Sequence, residues 1–176
     1  EVDWAGARIA FFDAESGKMS QASLFVAVLP CSGIIYAEPF RDQKLPSWIT
    51  GHVNAFQYFG GVPQDGYPDN LKSGVKRSDF YEPDLNRTYQ EMAAYYGTVI
   101  LPLEPQTQGQ GVRGKRRIDF VVKIIAKLRN IRILSFPDLQ QHVRTALEHV
   151  NSAPLTGKSE SRWTSFLAEE KDFLLP

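Results

Sequence analysis

The sequence predicts one α/β domain, built on a mixed five-stranded sheet with helices on both faces. Three observations indicate this fold class. The 176 residues suit a single hydrophobic core. The first forty residues contain three runs rich in β-branched and aromatic side chains, and the short turns between them predict antiparallel hairpins. Helical and strand-like segments then alternate, which is typical of a sheet covered by helices.

The elements follow in the order β-β-β-α-β-α-β-α-α. Strands are predicted at 2–12, 22–29, 33–40, 62–67 and 98–101. Helices are predicted at 45–59, 85–96, 118–128 and 137–151, from apolar residues at helical spacing. Gly60-Gly61 ends the first helix, and Pro137 lies in the first turn of the last. Few small folds have this order, and the RNase H-like fold is the leading one.

We assign residues 1–151 to this core and residues 152–176 to a polar C-terminal extension that leads toward a C-terminal domain absent from this sequence. Cys31 is the only cysteine, so an internal disulfide is excluded. No run reaches the roughly 18 apolar residues that a membrane helix needs. These features indicate a protein of a reducing compartment, and the sequence gives no sign of a membrane partner.

The net charge is zero, yet one segment is strongly basic. Residues 113–132 hold one acid, Asp119, and eight basic side chains: Arg113, Lys115, Arg116, Arg117, Lys123, Lys127, Arg129 and Arg132. A local basic stripe of this kind can contact phosphates even in a neutral domain. The alternative is a solvated helix face, which is the commoner fate of such charges.

Three aspartates occupy positions from which divalent metal ions could be held. Asp3 lies within the first predicted strand, where its two neighbours point to the opposite face. Asp69 follows the fourth predicted strand, at the end where α/β sheets usually place their ligands. Asp119 lies in the first turn of the basic helix. Each acid also has an ordinary alternative: a turn or cap role for the first two, and an exposed ion pair with Lys123 for the third.

Short motifs along nearly the whole chain occur in the order found in one protein family. The most specific match is Gly60-Gly61-Val62-Pro63, followed by Pro68-Asp69-Asn70-Leu71-Lys72-Ser73-Gly74-Val75. Other matches are Val2-Asp3-Trp4-Ala5-Gly6, Tyr81-Glu82-Pro83-Asp84-Leu85-Asn86, Tyr96-Gly97-Thr98, Leu128-Arg129-Asn130 and Asn151-Ser152-Ala153-Pro154. The chain resembles DDE-type transposases and retroviral-type integrases. It most closely resembles the IstA-type large transposase subunit of insertion sequences that also encode an ATPase helper.

The resemblance implies that Asp3, Asp69 and Asp119 are catalytic and bind metal. The family normally has glutamate at the third position, where this sequence has the shorter Asp119. The implied cofactor is Mg²⁺ or Mn²⁺, with two ions expected when DNA is bound. Such ions would activate water or a 3′-hydroxyl for attack on phosphorus and stabilise the leaving oxygen.

The resemblance also implies contacts to DNA and to protein partners. The candidate DNA-binding residues are Asn70, Lys72, Arg116, Arg117, Lys123 and Lys127. Because Asp119, Lys123 and Lys127 are spaced at i, i+4 and i+8, a phosphate near the metals would meet the two lysines. The implied partners are transposon ends, target DNA, further copies in a transpososome and an AAA+ ATPase helper. The expected location is the bacterial cytoplasm, in association with the nucleoid.

Three functions agree with these observations. The first is a transposase core that cleaves transposon ends and joins them to target DNA by two-metal-ion phosphoryl transfer. The second is a catalytically lapsed DNA- or partner-binding module on the same fold, which the change to Asp119 favours. The third is an RNase H-like nuclease that cuts without joining. The match from Pro68 to Val75 favours the first over the third, and divalent-metal binding separates the first from the second.

Overall fold

The computed structural model describes residues 1–68, 83–101 and 124–176. The strands in these ranges are β1 (Val2–Trp4), β2 (Ile9–Asp13), β3 (Lys18–Val28), β4 (Ile35–Phe40), β5 (Asp65–Gly66) and β6 (Val99–Ile100). The helices are α1 (Leu45–Phe59), α2 (Pro83–Tyr96), α3, described over 124–129, α4 (Phe136–Ser152) and α5 (Arg162–Glu169). A 3₁₀ helix, Lys171–Phe173, follows α5.

The long strand β3 organises the sheet. It pairs antiparallel with β1, β2 and β4, while β5 and β6 form a separate parallel pair. A parallel bridge between Val2 and Pro68 connects β1 to the chain that follows β5. The arrangement is a mixed sheet, as predicted, but its described strands form groups of four and two instead of one five-stranded sheet. One reason is that the predicted first strand, 2–12, is interrupted at residues 5–8 and forms both β1 and β2.

Each face of the sheet has its own hydrophobic core, because successive side chains of a strand point to opposite faces. On one face, Leu24, Val26 and Val28 of β3 pack with buried residues of α3 and α4. On the other, Phe25 and Ala27 pack with buried residues of α1, α2 and α5. Helices therefore cover both faces, which confirms that part of the prediction.

Most predicted helices agree closely with the structure. Helix α1 has the predicted bounds, and its C-cap Gly60 adopts φ of 72° with its N–H bonded to the carbonyls of Phe56 and Gln57. Helices α2 and α4 each begin one or two residues before the predicted start. The predicted start of the basic helix at 118 and the loop predicted over 102–114 lie outside the described residues. In the described ranges, no helix is long and apolar enough to cross a bilayer.

The outer edge of β4 is closed by the side chain of Asn151. Its amide oxygen accepts from the Ile35 N–H at 3.1 Å, and its amide nitrogen donates to the Ile35 carbonyl at 2.7 Å. A second bond, at 2.9 Å, reaches the Tyr58 hydroxyl oxygen. Pro39, four residues further along β4, carries no N–H. An Asn side chain and a proline thus blunt an edge that could otherwise pair with another strand.

The residues after α4 are folded onto the domain. Helix α5 begins with a capping box, in which the Ser161 and Thr164 side chains each bond the other residue's backbone N–H. Phe166 of this helix is 1% exposed and belongs to the core that contains Phe25 and Phe59. The division at residue 151 and the further C-terminal domain remain predictions.

Candidate metal and nucleic-acid site

Asp3 lies at the middle of β1, on the sheet face covered by α3 and α4. Its register partner is Val26, and cross-strand partners share one face. Its neighbours Val2 and Trp4 pack into the opposite core, against residues of α1. The predicted alternation along this strand is therefore confirmed. The Asp3 side chain is partly buried, and its Oδ1 accepts a hydrogen bond from the Trp4 N–H at 2.8 Å.

The run 62–68 reaches the side of β1 at its last residue. The Val2 N–H donates to the Tyr67 carbonyl at 3.0 Å, and Val2 forms the parallel bridge with Pro68. The strand that carries Asp3 therefore lies beside Pro68. Of the predicted site residues on this side, Asp69, Asn70 and Lys72 lie outside the described residues.

Helix α3 packs on the same sheet face to which Asp3 points. Ile124, Ile125 and Leu128 are buried there, in the cluster that contains Val26. Lys127 is exposed on the same helix. The structure thus places Asp3 and the described end of the basic helix on one side of the sheet. Asp119, Arg116, Arg117 and Lys123 lie outside the described residues.

Among the residues that the structure describes, no three His, Cys, Asp or Glu side chains are grouped so that they could hold a metal ion. Asp3 is the described member of the predicted carboxylate set. Its carboxylate oxygens are the donor type that Mg²⁺ and Mn²⁺ prefer, and its strand is joined to the run that ends at Pro68. The donor chemistry of this position therefore fits a hard divalent cation.

A buried polar network joins α1 to α2 on the opposite face. His52 Nδ1 lies 2.8 Å from the Trp48 carbonyl oxygen, and His52 Nε2 lies 3.0 Å from the Tyr89 hydroxyl oxygen. Because the carbonyl can only accept, Nδ1 carries the proton, and Nε2 accepts from Tyr89. Burial lowers the pKa of His52 to about 4, although the bond to Trp48 opposes this shift. Sequence reasoning gave His52 no role, since its signal is only an apolar helix face.

The depressed pKa of His52 predicts a loss of stability in mild acid. Well above pH 6.5 the imidazole is neutral in both states, so its full contribution is present. As the pH falls from 6.5 toward 4, the unfolded chain takes up a proton that the folded chain excludes. The free energy of unfolding should then fall by up to about 1.4 kcal/mol per pH unit. Urea unfolding at about pH 7.5 and about pH 5 measures this slope.

The variant His52→Gln should lose most of this pH dependence. The pKa values of Asp13 and Asp42 are also lowered, by hydrogen bonds from Ser16 and from the Lys44 N–H, respectively. Their contributions are lost only below the ordinary carboxyl pKa of 3.8, outside the histidine window. An equal slope in wild type and His52→Gln would contradict the assignment to His52.

Comparison with solved structures shows which known fold this chain has. The catalytic core domain of BIV integrase aligns with 97% of this chain and 96% of that chain, at a TM-score of 0.60 and 16% identity. This chain has the fold of an integrase catalytic core. The HTLV-2 integrase catalytic core domain in complex with magnesium aligns with 92% of this chain and 93% of that one, at a TM-score of 0.52 and 15% identity.

Comparison with curated sequences shows that the chain is similar to transposases. The chain is 35% identical over 181 residues to "Putative transposase y4bL/y4kJ/y4tB" of Sinorhizobium fredii, covering 100% of this chain and 34% of that protein. It is 33% identical over 153 residues to "Putative transposase for insertion sequence IS1162" of Pseudomonas fluorescens, covering 87% of this chain and 27% of that protein. The chain thus spans about a third of these relatives. No protein-family model matches it.

Proposed function

We propose that this chain is the catalytic core of a DNA transposase, which cleaves transposon ends and joins them to target DNA by two-metal-ion phosphoryl transfer. The observation that carries the proposal is the contact between Val2 and Pro68. It brings the strand of Asp3 beside the residue that immediately precedes Asp69 in the sequence. Carboxylates distant in sequence converge in this way when they share metal ions.

The similarity to transposases over the whole chain supports this activity. The integrase-core fold supports it too, because the same chain also carries the ordered motifs around Asp3 and Asp69. Within the transposases we place the chain nearest the IstA-type large subunit. That finer assignment rests on the motif series from Gly60 to Val75.

The cofactor we propose is Mg²⁺ or Mn²⁺, held by Asp3, Asp69 and Asp119. Two such ions, when bound with DNA, would supply an activated oxygen nucleophile and charge stabilisation at the leaving oxygen. The task of the chain itself is to hold the carboxylates in position. β1 contributes through its pairing with β3 and with Tyr67, which fixes the backbone on both sides of Asp3.

We propose that DNA lies along the basic helix, on the face of the sheet to which Asp3 points. Lys127 is exposed on α3, while Ile124, Ile125 and Leu128 of the same helix are buried. Lys123 precedes it by four residues in the sequence. Lysines on such a helix contact backbone phosphates, which position the duplex without reading its sequence. Arg116, Arg117, Asn70 and Lys72 complete the proposed DNA contacts.

The proposed partners follow from the same function. Joining two transposon ends requires more than one copy of a core, so we expect self-association with DNA in a transpososome. The HTLV-2 integrase catalytic core domain was solved in a dimeric and a trimeric form, and another similar structure is a simian T-cell lymphotropic virus intasome. An AAA+ ATPase helper is the further partner proposed for an IstA-type protein, in the bacterial cytoplasm at the nucleoid.

A DNA-joining assay tests this function. The purified chain is incubated with a labelled duplex and a supercoiled target, with Mn²⁺, with Mg²⁺ or with a chelator. The proposal predicts both nicked and joined products, with either metal and none with chelator. Nicked products without joined ones would favour the nuclease. DNA binding without any product would favour the lapsed module, and equal activity with chelator would contradict a metal mechanism.

A further inference from the structure

Residues near the end of the chain make three separate attachments to the domain. We define the C-terminal brace as residues 161–175. Phe166 anchors its helix in the core. The Glu170 carboxylate accepts hydrogen bonds from the N–H groups of Cys31 and Ser32, at 3.1 and 3.0 Å, and from the Ser32 hydroxyl. Leu175 pairs with Val62 in an antiparallel bridge. The brace therefore connects the turn between β3 and β4 to the beginning of the run 62–68.

The pairing with Val62 is reciprocal and close. The Val62 N–H donates to the Leu175 carbonyl, and the Leu175 N–H donates to the Val62 carbonyl, both at 2.8 Å. Gly61 makes this approach feasible. A Cβ at Gly61 would lie 2.7 Å from the Leu174 Cβ and 2.8 Å from the Leu175 carbonyl oxygen. The Leu175 side chain also lies against Gly97, 3.7 Å from where that residue's Cβ would be.

The run held in this way is the one that meets β1. Its first residue, Val62, bonds the brace, and its last residues, Tyr67 and Pro68, contact Val2. Between them, β5 pairs with β6 over two residues. Because β5 is so short, few ladder bonds hold the run. The two bonds between Val62 and Leu175 add to the bonds from Val99 to Gln64, from Leu101 to Gly66 and from Val2 to Tyr67, and they hold the first residue of the run.

We propose that the brace positions the run 62–68 against β1 and thereby positions the metal site around Asp3. This proposal rests on the proposed function only in its second half. The placement of the run against β1 is a property of the metal-free protein. Leu175 acts through the run and Glu170 through the attachment of the brace to the turn between β3 and β4, so both are positioning residues.

Two variants loosen the brace from opposite sides. Gly61→Ala acts from the residue that precedes the run, since its new Cβ displaces Leu174 and Leu175. Leu175→Pro acts from the brace, because proline lacks the N–H that donates to Val62. Leu174 has φ of −74° and ψ of 142°, a conformation that a following proline accepts. The matched controls are Gly6→Ala, where a Cβ meets nothing within 4 Å, and Leu175→Ala, which keeps the N–H.

Amide hydrogen exchange in the metal-free protein tests whether the brace holds the run 62–68 against β1. The Val2 N–H, bonded to Tyr67, reports on the contact between the run and β1, and the Phe12 N–H, bonded to Ile133, serves as a reference in β2. We expect exchange at Val2 to rise about tenfold relative to Phe12 in Gly61→Ala and Leu175→Pro, and little in the controls. Equal increases at both amides, or none at Val2, would overturn the proposal.

Calorimetric titration of Mn²⁺ into the same proteins tests whether the brace also positions the metal site around Asp3. Displacing a support behind a ligand costs on the order of tenfold in metal affinity, so we expect that loss in both brace variants. Faster exchange at Val2 with unchanged Mn²⁺ affinity would overturn the positioning of the metal site. A wild type that binds no Mn²⁺ would instead contradict the proposed function, while the exchange result would still decide whether the brace holds the run.

Discussion

Asp3→Asn is expected to lower DNA joining by about a thousandfold in the presence of Mn²⁺, because losing a metal-held charge costs several kcal/mol at about 1.4 kcal/mol per tenfold in rate. The fold should survive the change. Asparagine keeps an oxygen that can accept from the Trp4 N–H, as Asp3 Oδ1 does at 2.8 Å. Because the position is only partly buried, water can also hydrate the new amide nitrogen, so its burial costs little.

The matched control is Asp65→Asn, which removes the same charge from an exposed residue of β5. Joining rates are measured for both variants under single-turnover conditions, next to their melting temperatures. The account predicts a large loss for Asp3→Asn alone, with melting temperatures close to wild type. Similar rates in the two variants would show that Asp3 is an ordinary strand residue.

Phe166→Ala should cost about 3–5 kcal/mol of unfolding free energy, the usual range for truncating a buried aromatic side chain. Phe166 is 1% exposed and its ring contacts those of Phe59 and Trp163. Removing it leaves a cavity between α5 and α1. Leu167→Ala on the same helix, at a residue 45% exposed, should cost under about 1 kcal/mol.

Urea unfolding of the two variants separates two pictures of the C-terminal residues. If α5 belongs to the cooperative core, the midpoint of Phe166→Ala falls strongly and that of Leu167→Ala hardly moves. Equal, small effects would mean that residues 152–176 unfold apart from the rest, as expected of a loosely attached extension. The burial of Phe166 favours the first picture.

The helices could be predicted from the sequence because periodicity and stop signals agree at their ends. α1 is bounded by apolar spacing and by Gly60, whose positive φ ends the helix. α5 was missed because it has eight residues and one buried side chain, too few to form a recognisable stripe. Its capping box uses Thr164, where the commoner sequence signal is a glutamate or glutamine.

The predicted bounds of the strands agree less well with the structure, because strand ends depend on pairing between residues distant in sequence. The run 2–12 is rich in apolar residues on both sides of residues 5–8, so the sequence pattern predicts one strand where the structure has β1 and β2. β3 extends back to Lys18 because its polar beginning pairs with β2, a contact that a search for apolar residues overlooks. The bridge between Val62 and Leu175 joins residues over a hundred positions apart, so no local pattern indicates it.

The candidate site could be predicted in outline. Strand alternation places Asp3 opposite Val2 and Trp4, and the structure confirms that face. That Pro68 lies beside Val2 follows from tertiary pairing, which only the fold shows. The catalytic and metal-binding roles of Asp3, Asp69 and Asp119 remain predictions from the resemblance, as does the function of Asp119 where the family normally has glutamate.

Isothermal titration of Mn²⁺ into the purified wild type, Asp69→Ala and Asp119→Ala tests the central claim most directly. The account predicts that the wild type binds and that both variants lose affinity, because each of the three aspartates is proposed to supply an oxygen ligand. If Asp69→Ala loses affinity while Asp119→Ala binds like the wild type, the third ligand is wrong and the lapsed module gains support. A wild type that binds no Mn²⁺ would contradict a carboxylate metal site in this chain.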